Sequence, residues 1–346
     1  MRQRAIAVAS EGHVAEAATA MLARGNAVDA VISAIFVAAA ASATVLLGPV
    51  QILVGGAGAG LRAIDGRCHQ PGHGVQRPRG FKADDVIPPA ARVAVPALPA
   101  ALATALANFG RTTLAQVLAP AIERARPIAE RAQVLKRIAQ YGPSALTEEG
   151  IAAELIAAAG RVPGGLLTNE DLQRVRPSAE ACEVGVVGDR RIATVPWGAG
   201  AVRGDSEAAP MPATFTQLVA VADGHGLIAI ACYESPYDGL AIPELGLSAP
   251  FCAAPVLRGQ ARVRPGDLRP AAAPMALGER EGIMDVALGI AAANGAETRL
   301  QAVIRALGTG MPLDLALGVQ DGAPGGLTVG VVRDRDGAQA LVARAS

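Results

Sequence analysis

The chain has 346 residues, of which 51% are hydrophobic but only 3% aromatic, so Ala, Val and Leu must fill its interior. Lys and Arg together number 31, as do Asp and Glu, so the chain lacks the basic field that would attract nucleic acid. The length suits one large domain or two ordinary ones.

The cysteine pattern and the N-terminal stretch bear on the cellular compartment. Four cysteines are widely spaced and none forms a C-x-x-C pair: Cys68, Cys182, Cys232 and Cys252. Buried, reduced thiols are therefore expected rather than a disulfide framework. Residues 1–22 carry two glutamates and no long apolar core, which argues against a signal peptide. A cytoplasmic location is expected.

The first predicted elements are two helices. Residues 11–22 have a helical pattern, which Gly25 interrupts. Asn26 is a good N-cap for a second helix, with Asp29 at the third position of that helix. No charge occurs between Asp29 and Arg62, a run long enough to span a membrane. However, the run is Ala-rich and Gly48 followed by proline interrupts it, which favours a buried helix and then a buried strand.

Two paired strands and a long polar loop are predicted next. Residues 50–54 and 61–65 flank the glycine-rich turn GGAGAG, which is not a dinucleotide fingerprint because no helical pattern follows it. The loop at residues 68–90 contains Cys68, His69 and His73, but no fourth ligand lies nearby. Neither a metal ion nor a cofactor is expected.

The middle of the chain is predicted to be helical. The expected features are a helix ending at Gly110, capping boxes at Thr113 with Gln116 and at Thr168 with Asp171, and a helix over residues 145–159. The sequence then becomes rich in strands from Glu183 to about Ala254, including a strand, turn and strand in TFTQLVAVADGHGLIAI. Helices at residues 299–307 and 313–317 and two closing strands follow, so we predict sheets layered between helices.

Several of these segments, in this order, resemble the gamma-glutamyltranspeptidase family. They are GNAVDA at residues 25–30, IDGR at 64–67, residues 92–126, GGLLTNEDLQRVRP at 164–177, RPAAAPM at 269–275 and ALGTGMPLDLAL at 306–317. The chain is shorter than is typical of the family, because only a few residues stand between VPWGAG and MPATFTQ where the family has a long helical region.

The resemblance implies an α+β fold, the four-layer αββα sandwich of N-terminal-nucleophile hydrolases. Members are made as one chain that cleaves itself before a threonine, whose hydroxyl then attacks a γ-glutamyl amide with the freed α-amine as base. An ungapped alignment puts Thr214 at the nucleophile, although a one-residue slip would put Phe215 there. The single domain, 1–346, would then divide into 1–213 and 214–346.

The resemblance also suggests residues that bind substrate. Arg67 matches an arginine that binds the substrate carboxylate, and Ser235 aligns near an asparagine on the strand after the nucleophile. Asn294 and Gly295 are the nearest candidates for donors to the oxyanion. From the residues alone, Arg67 could equally be a structural arginine and Ser235 a turn residue before proline. His225 is not expected to act in catalysis, and Trp197 is expected to pack in the fold rather than to stack on a ligand.

The sequence departs from the family where the substrate would bind. Cys68 replaces an acidic residue after the arginine, Ala271–Ala273 replace hydroxyl side chains, and residues 246–254 contain no acid. Two main hypotheses remain: an amidohydrolase or acyltransferase with an altered small-molecule amide or amino-acid-derived substrate, and an inactive relative that binds or scaffolds. A standard glutathione-cleaving transpeptidase is a third.

Overall fold

The fold is a sandwich of two β-sheets between two layers of helices. The computed structural model describes residues 5–56, 58–76, 80–197, 216–271, 274–291, 296–318, 327–333 and 338–344. Sheet I has the strand order β1-β7-β8-β2-β3-β4 and sheet II the order β14-β13-β12-β11-β6-β5, and all neighbouring strands are antiparallel.

The element bounds among the described residues are as follows. The helices are α1 (Gly12–Leu22), α2 (Ala27–Ala41), α3 (Leu98–Phe109), α4 (Leu114–Arg124), α5 (Ala129–Tyr141), α6 (Glu149–Ala159), α7 (Asn169–Gln173), α8 (Ala296–Gly308) and α9 (Leu313–Gly318). The strands are β1 (Ile6–Ala9), β2 (Val50–Gly55), β3 (Leu61–Gly66), β4 (Ala179–Ala181), β5 (Glu183–Val187), β6 (Arg190–Thr194), β7 (Thr216–Ala222), β8 (Ile228–Glu234), β9 (Leu240–Ile242), β10 (Leu247–Ala249), β11 (Met275–Arg280), β12 (Ile283–Ala291), β13 (Leu327–Arg333) and β14 (Ala338–Arg344).

Each layer boundary has its own apolar core. Between the sheets, a cluster that includes Leu53 and Ile230 of sheet I meets Leu277 and Val331 of sheet II. A larger cluster joins the other face of sheet I to helices α1–α6, and a third joins sheet II to α8 and α9. β2 is buried on both faces and is apolar except for the buried Gln51, so its sequence does not alternate between apolar and polar residues. The predicted αββα layering is confirmed.

The uncharged segment after Asp29 is a buried helix followed by a buried strand. Fourteen of the 15 residues of α2 are buried, and a 3₁₀ turn at Val45–Leu47 leads into β2. Within the described parts of the chain, no helix is long and apolar enough to cross a membrane. The absence of charge in this segment therefore reflects burial in the protein core.

A buried carboxylate fixes the start of α2. The side chain of Asn26 accepts hydrogen bonds from the backbone N–H groups of Val28 and Asp29, as an N-cap should. Asp29 is fully buried and accepts bonds from the backbone N–H groups of Asn26, Arg111 and Thr112 and from the Thr112 hydroxyl. It thus ties the N-terminus of α2 to the loop between α3 and α4.

Substitution of Asp29 by Asn is expected to destabilise the fold by roughly 3 kcal/mol or more, because an amide N–H₂ would then face backbone donors in a buried site. Urea unfolding followed by circular dichroism would measure this loss. Asp84 is exposed and makes no hydrogen bond with the residues that the structure describes, so Asp84→Asn offers the matched control. Equal stability of the two variants would contradict the anchoring role of Asp29.

The structure differs from the sequence predictions in several places, and β1 and α5 are two of the elements that were not predicted. The predicted helix at residues 145–159 begins only at Glu149, because residues 142–147 form a 3₁₀ helix. Strands β11 and β12 were not predicted, yet they lie in the middle of sheet II.

Candidate active site at one end of the sandwich

Strand register brings several chain segments together at one end of sheet I. Val50, the first residue of β2, pairs with both Gly66 and Tyr233, and Glu234 at the end of β8 pairs with Thr216 at the start of β7. Arg67 and Ser235 therefore leave the sheet at the same end at which β7 begins. We call this the Arg67 end.

Sheet II contributes to the same end. Trp197 follows β6 by three residues, and its ring lies 5.3 Å from the guanidinium carbon of Arg67. Within sheet II, the last residue of β6, Thr194, pairs with Ala276, while Met275 pairs with Gly289 near the end of β12. The start of β11 and the end of β12 therefore adjoin the Arg67 end as well.

Arg67 is held on one edge by a carboxylate and on one face by an aromatic ring. Its Nε lies 3.0 Å from both carboxylate oxygens of Asp65, and its Nη2 lies 2.6 Å from Oδ2. The side chains of Arg67 and Asp65 are only 11% and 10% exposed. Among the described residues, Nη1 donates no hydrogen bond. Asp65 therefore occupies the Nε side of the guanidinium and leaves the outer fork available to a second planar anion.

Ser235 belongs to a short chain of hydroxyl groups. Its Oγ donates to Ser42 Oγ at 3.1 Å, Ser42 Oγ lies 3.2 Å from Thr44 Oγ1, and Thr44 donates to the Pro236 carbonyl at 2.7 Å. These bonds tie the loop after β8 to the segment after α2. They give Ser235 a structural function at the Arg67 end, and its part in substrate binding stays a prediction.

Acidic and aromatic groups that sequence analysis did not single out also lie at this end. Glu234 is 3% exposed and sits opposite Thr216. Burial, followed by the negative charge of Glu11, raises the pKa of the Tyr233 hydroxyl well above its usual range, and that hydroxyl donates to Glu11 at 3.1 Å. Only the strand register, which pairs residues distant in sequence, reveals Glu234.

The turn between β7 and β8 lies at the opposite end of sheet I. The Asp223 carboxylate accepts bonds from the backbone N–H groups of Ala27, His225 and Leu227. Gly226 takes a φ of 99°, which favours glycine. This end is remote from Arg67, and the absence of a catalytic function for His225 stays a prediction.

The histidines of the long loop have structural contacts. His73 Nδ1 lies 2.8 Å from Asp171, whose carboxylate also accepts from the backbone N–H groups of Gly72 and Thr168. Burial lowers the pKa of His69, and its backbone pairs with Val95. Over the described ranges, no group of three or more potential metal ligands occurs.

Three of the predicted site residues lie outside the described residues: Thr214, Asn294 and Gly295. The same holds for two of the three alanines that replace hydroxyl residues, Ala272 and Ala273. The neighbouring Ala271 is buried.

Comparison with solved structures gives full-length matches to the fold. A cephalosporin acylase from Bacillus halodurans matches with a TM-score of 0.75 and 16% sequence identity, covering 99% of this chain and 96% of that chain. A structure described as LmbA2991HD matches with a TM-score of 0.72 and 16% identity, covering 99% and 97%. The chain has the αββα fold of the N-terminal-nucleophile hydrolases.

Other solved structures match only part of this chain, with lower TM-scores. A gamma-glutamyltranspeptidase from Pseudomonas nitroreducens matches at 22% identity and a TM-score of 0.48, covering 57% of this chain and 72% of that chain. No protein-family model matches the sequence, and the search of curated proteins finds no match. At these identities, the comparisons establish the N-terminal-nucleophile hydrolase fold and leave the reaction to be proposed from the site.

Proposed function

We propose that this chain is an N-terminal-nucleophile amide hydrolase or acyltransferase that uses Thr214 and takes a small amide bearing a carboxylate. One observation carries the proposal: β3 and β8 end, and β7 begins, at the Arg67 end of sheet I. Thr214 precedes the first residue of β7 by two positions. The proposed carboxylate-binding arginine thus lies at the end of sheet I at which the strand after Thr214 begins.

The oxyanion donors are proposed on the same reasoning. β12 ends at Ala291, and the end of this strand adjoins the Arg67 end. Asn294 and Gly295 follow by three and four residues, so their backbone N–H groups are candidates to stabilise a tetrahedral intermediate. Each such donor contributes on the order of 100-fold to the rate.

The proposed reaction begins with self-cleavage between Ala213 and Thr214. The new α-amine then takes the proton from the Thr214 hydroxyl, which attacks the amide carbonyl of the substrate and expels its amine. Water or a second amine resolves the acyl-enzyme. Arg67, oriented by Asp65 and Trp197, would hold the carboxylate at the far end of the acyl group.

An inactive binding protein is the second candidate. It is favoured by the ion pair between Arg67 and Asp65, which neutralises the proposed carboxylate site, and by the alanines at residues 271–273. The two candidates differ in a simple observable: the purified chain is two polypeptides if Thr214 is activated and one polypeptide if it is not. Intact-mass analysis of freshly purified protein decides between them.

The substrate is expected to lack an ammonium group beside its carboxylate. Residues 246–254 contain no acid, so the ammonium of a γ-glutamyl substrate would be buried without the partner that the family supplies there. We expect γ-glutamyl-p-nitroanilide to be cleaved about 100-fold or more slowly than glutaryl-p-nitroanilide, which differs only by that ammonium. Steady-state kinetics on both anilides measures the ratio.

Equal rates on the two anilides would contradict this expectation. Glu234 would then be the group to test as the ammonium partner. It is almost fully buried, and its negative charge helps to raise the pKa of Cys252, which lies within residues 246–254. In that case Glu234→Gln would slow the γ-glutamyl anilide selectively. An unchanged ratio in Glu234→Gln would exclude Glu234 as the ammonium partner.

A further inference from the structure

Two of the four cysteines meet beside Arg67. Cys68 directly follows Arg67 and is 1% exposed, and Cys252 lies in the loop after β10. The two thiols are hydrogen-bonded to each other and share one apolar cluster with Ala94 and Ala253. Residues far apart in sequence thus bring two thiol groups together at the end of β3.

Polar side chains hold the two cysteine segments side by side. The backbone N–H of Arg269 donates to the Cys68 carbonyl at 2.8 Å, and its Nε donates to the Cys252 carbonyl at 3.0 Å. The Gln70 side chain donates to the Ala254 carbonyl at 2.8 Å and accepts from the Ala254 backbone N–H at 3.0 Å. These contacts hold the two chain segments that carry the thiols beside each other.

We propose that Cys68 and Cys252 form a dithiol–disulfide pair that closes in the folded protein under a small external disulfide and reopens under a thiol reductant. One thiolate of the pair attacks the reagent disulfide, whose S–S bond breaks and releases one reagent thiol. The second thiolate then displaces the other half of the reagent. Two electrons pass to the reagent, and the two protons lost by the cysteines end on the two reagent thiols.

Closure would act directly on Arg67, which is the residue before Cys68. A covalent bond to Cys252 would fix the end of β3 to the loop after β10 and alter the geometry of Arg67 against Trp197. An effect on turnover rests on the proposed function, whereas formation of the bond itself does not. The closing experiment therefore measures the bond and the surroundings of Trp197 without any substrate.

The rate of closure should rise with pH. The hydrogen bond to Cys68, and then burial, raise the pKa of the Cys252 thiol well above its usual range, so this thiol stays protonated at neutral pH. Because only the thiolate reacts, the rate should increase about tenfold per pH unit in this range. The pair would therefore close slowly under mild conditions and resist accidental oxidation.

The test is to treat the folded full-length protein with hydroxyethyl disulfide, alkylate the remaining thiols in denaturant and map the peptides. We expect the mass to fall by two hydrogen atoms, the number of titratable thiols to drop from four to two, and one crosslinked peptide to join Cys68 to Cys252.

Cys68→Ala and Cys252→Ala should each abolish the crosslink, and Cys182→Ala should retain it. Cys182 is the matched control because burial raises its pKa to about 12 and it follows β4, which pairs with β3 at the other end.

Trp197 provides a second measurement, since it is the only tryptophan in the chain. Its fluorescence should change on oxidation of the wild-type protein and return on reduction, and it should not respond in Cys252→Ala. Recovery of alkylated Cys68 and Cys252 in the same proportion as Cys182 would overturn the proposal. So would mixed disulfides with the reagent that never resolve to a crosslink.

Discussion

Replacement of Thr214 by alanine is expected to leave the protein as one intact chain, whereas the wild-type protein separates into residues 1–213 and 214–346. Self-cleavage requires the Thr214 hydroxyl to attack the carbonyl of Ala213, and no other atom of the side chain can replace that oxygen. Amidase turnover should fall by on the order of 10⁴-fold or more in Thr214→Ala. Intact-mass analysis and anilide hydrolysis measure the two effects separately.

Two further variants sharpen the assignment. Thr214→Ser keeps a hydroxyl and should still cleave, although more slowly. Thr216→Ala removes the nearest other hydroxyl, on a residue that is 2% exposed and pairs with Glu234 in the sheet, and it should cleave like the wild type. Loss of cleavage in Thr216→Ala but not in Thr214→Ala would transfer the nucleophile to Thr216.

A wild-type chain that remains whole after long incubation would favour the inactive binding protein. Two features of the sequence make cleavage demanding. Pro212 restricts the backbone just before the scissile bond, and Phe215 stands where the family prefers a small hydroxyl residue. The bond must also be strained and its oxyanion must be held by donors for attack to proceed. The mass measurement therefore tests self-cleavage, which is the most demanding step of the proposed function.

The elements that were predicted correctly have local causes. The capping boxes at Asn26, Thr113 and Thr168 depend on two residues three positions apart, and all three form. The hairpin of β7 and β8 follows from an apolar run on each side of a turn that contains aspartate and glycine. Such signals need no knowledge of the rest of the chain.

The elements that were missed depend on packing between distant residues. β11 contains Gly278, and its register with β12 shifts after that residue, so the regular alternation of a strand is interrupted. The strand is nevertheless stable because it lies between β6 and β12 in the middle of sheet II. Propensity alone underestimates such a strand, since its stability comes from its neighbours.

The same distinction applies to the candidate site. The motif IDGR predicted Arg67 as a binding residue, but it could not show that Asp65 pins one edge of the guanidinium or that Trp197 covers it. Nor could widely spaced cysteines indicate that Cys68 and Cys252 touch. The contacts of Trp197 with Arg67 and of Cys252 with Cys68 join residues far apart in sequence, and the pairing of Asp65 with Arg67 depends on side-chain orientation, so only the three-dimensional arrangement reveals them.

Replacement of Arg67 by lysine is expected to lower kcat/KM for a carboxylate-bearing amide by roughly 10- to 100-fold. A hydrogen bond to a charged group contributes about 1.5–3 kcal/mol, and each 1.4 kcal/mol corresponds to about tenfold. Lysine keeps the positive charge but has no planar fork, so it cannot bind Asp65 on one edge and a substrate carboxylate on the other. Steady-state kinetics on glutaryl-p-nitroanilide provides the measurement.

The loss should depend on the carboxylate of the substrate. An acyl anilide that ends in a methyl group instead of a carboxylate should be cleaved equally by the wild type and Arg67→Lys, because Arg67 has no anion to bind in that case. With the glutaryl substrate, the effect should appear mainly in KM if the carboxylate is held equally in the ground state and the transition state. A similar loss on both substrates would assign Arg67 a purely structural role.

Arg62 provides the control for charge and for the integrity of β3. Arg67 directly follows β3, whereas Arg62 lies near the other end of that strand, is exposed, and pairs across the sheet with Val54 and Ala181. Arg62→Lys should therefore leave the kinetics on both anilides unchanged. The fluorescence of Trp197 should respond to Arg67→Lys and not to Arg62→Lys, since of these two arginines Arg67 is the one that lies over its ring. A fluorescence change without a kinetic change would show that the guanidinium was displaced yet does not bind the carboxylate, and Arg67 would then be a structural residue paired with Asp65.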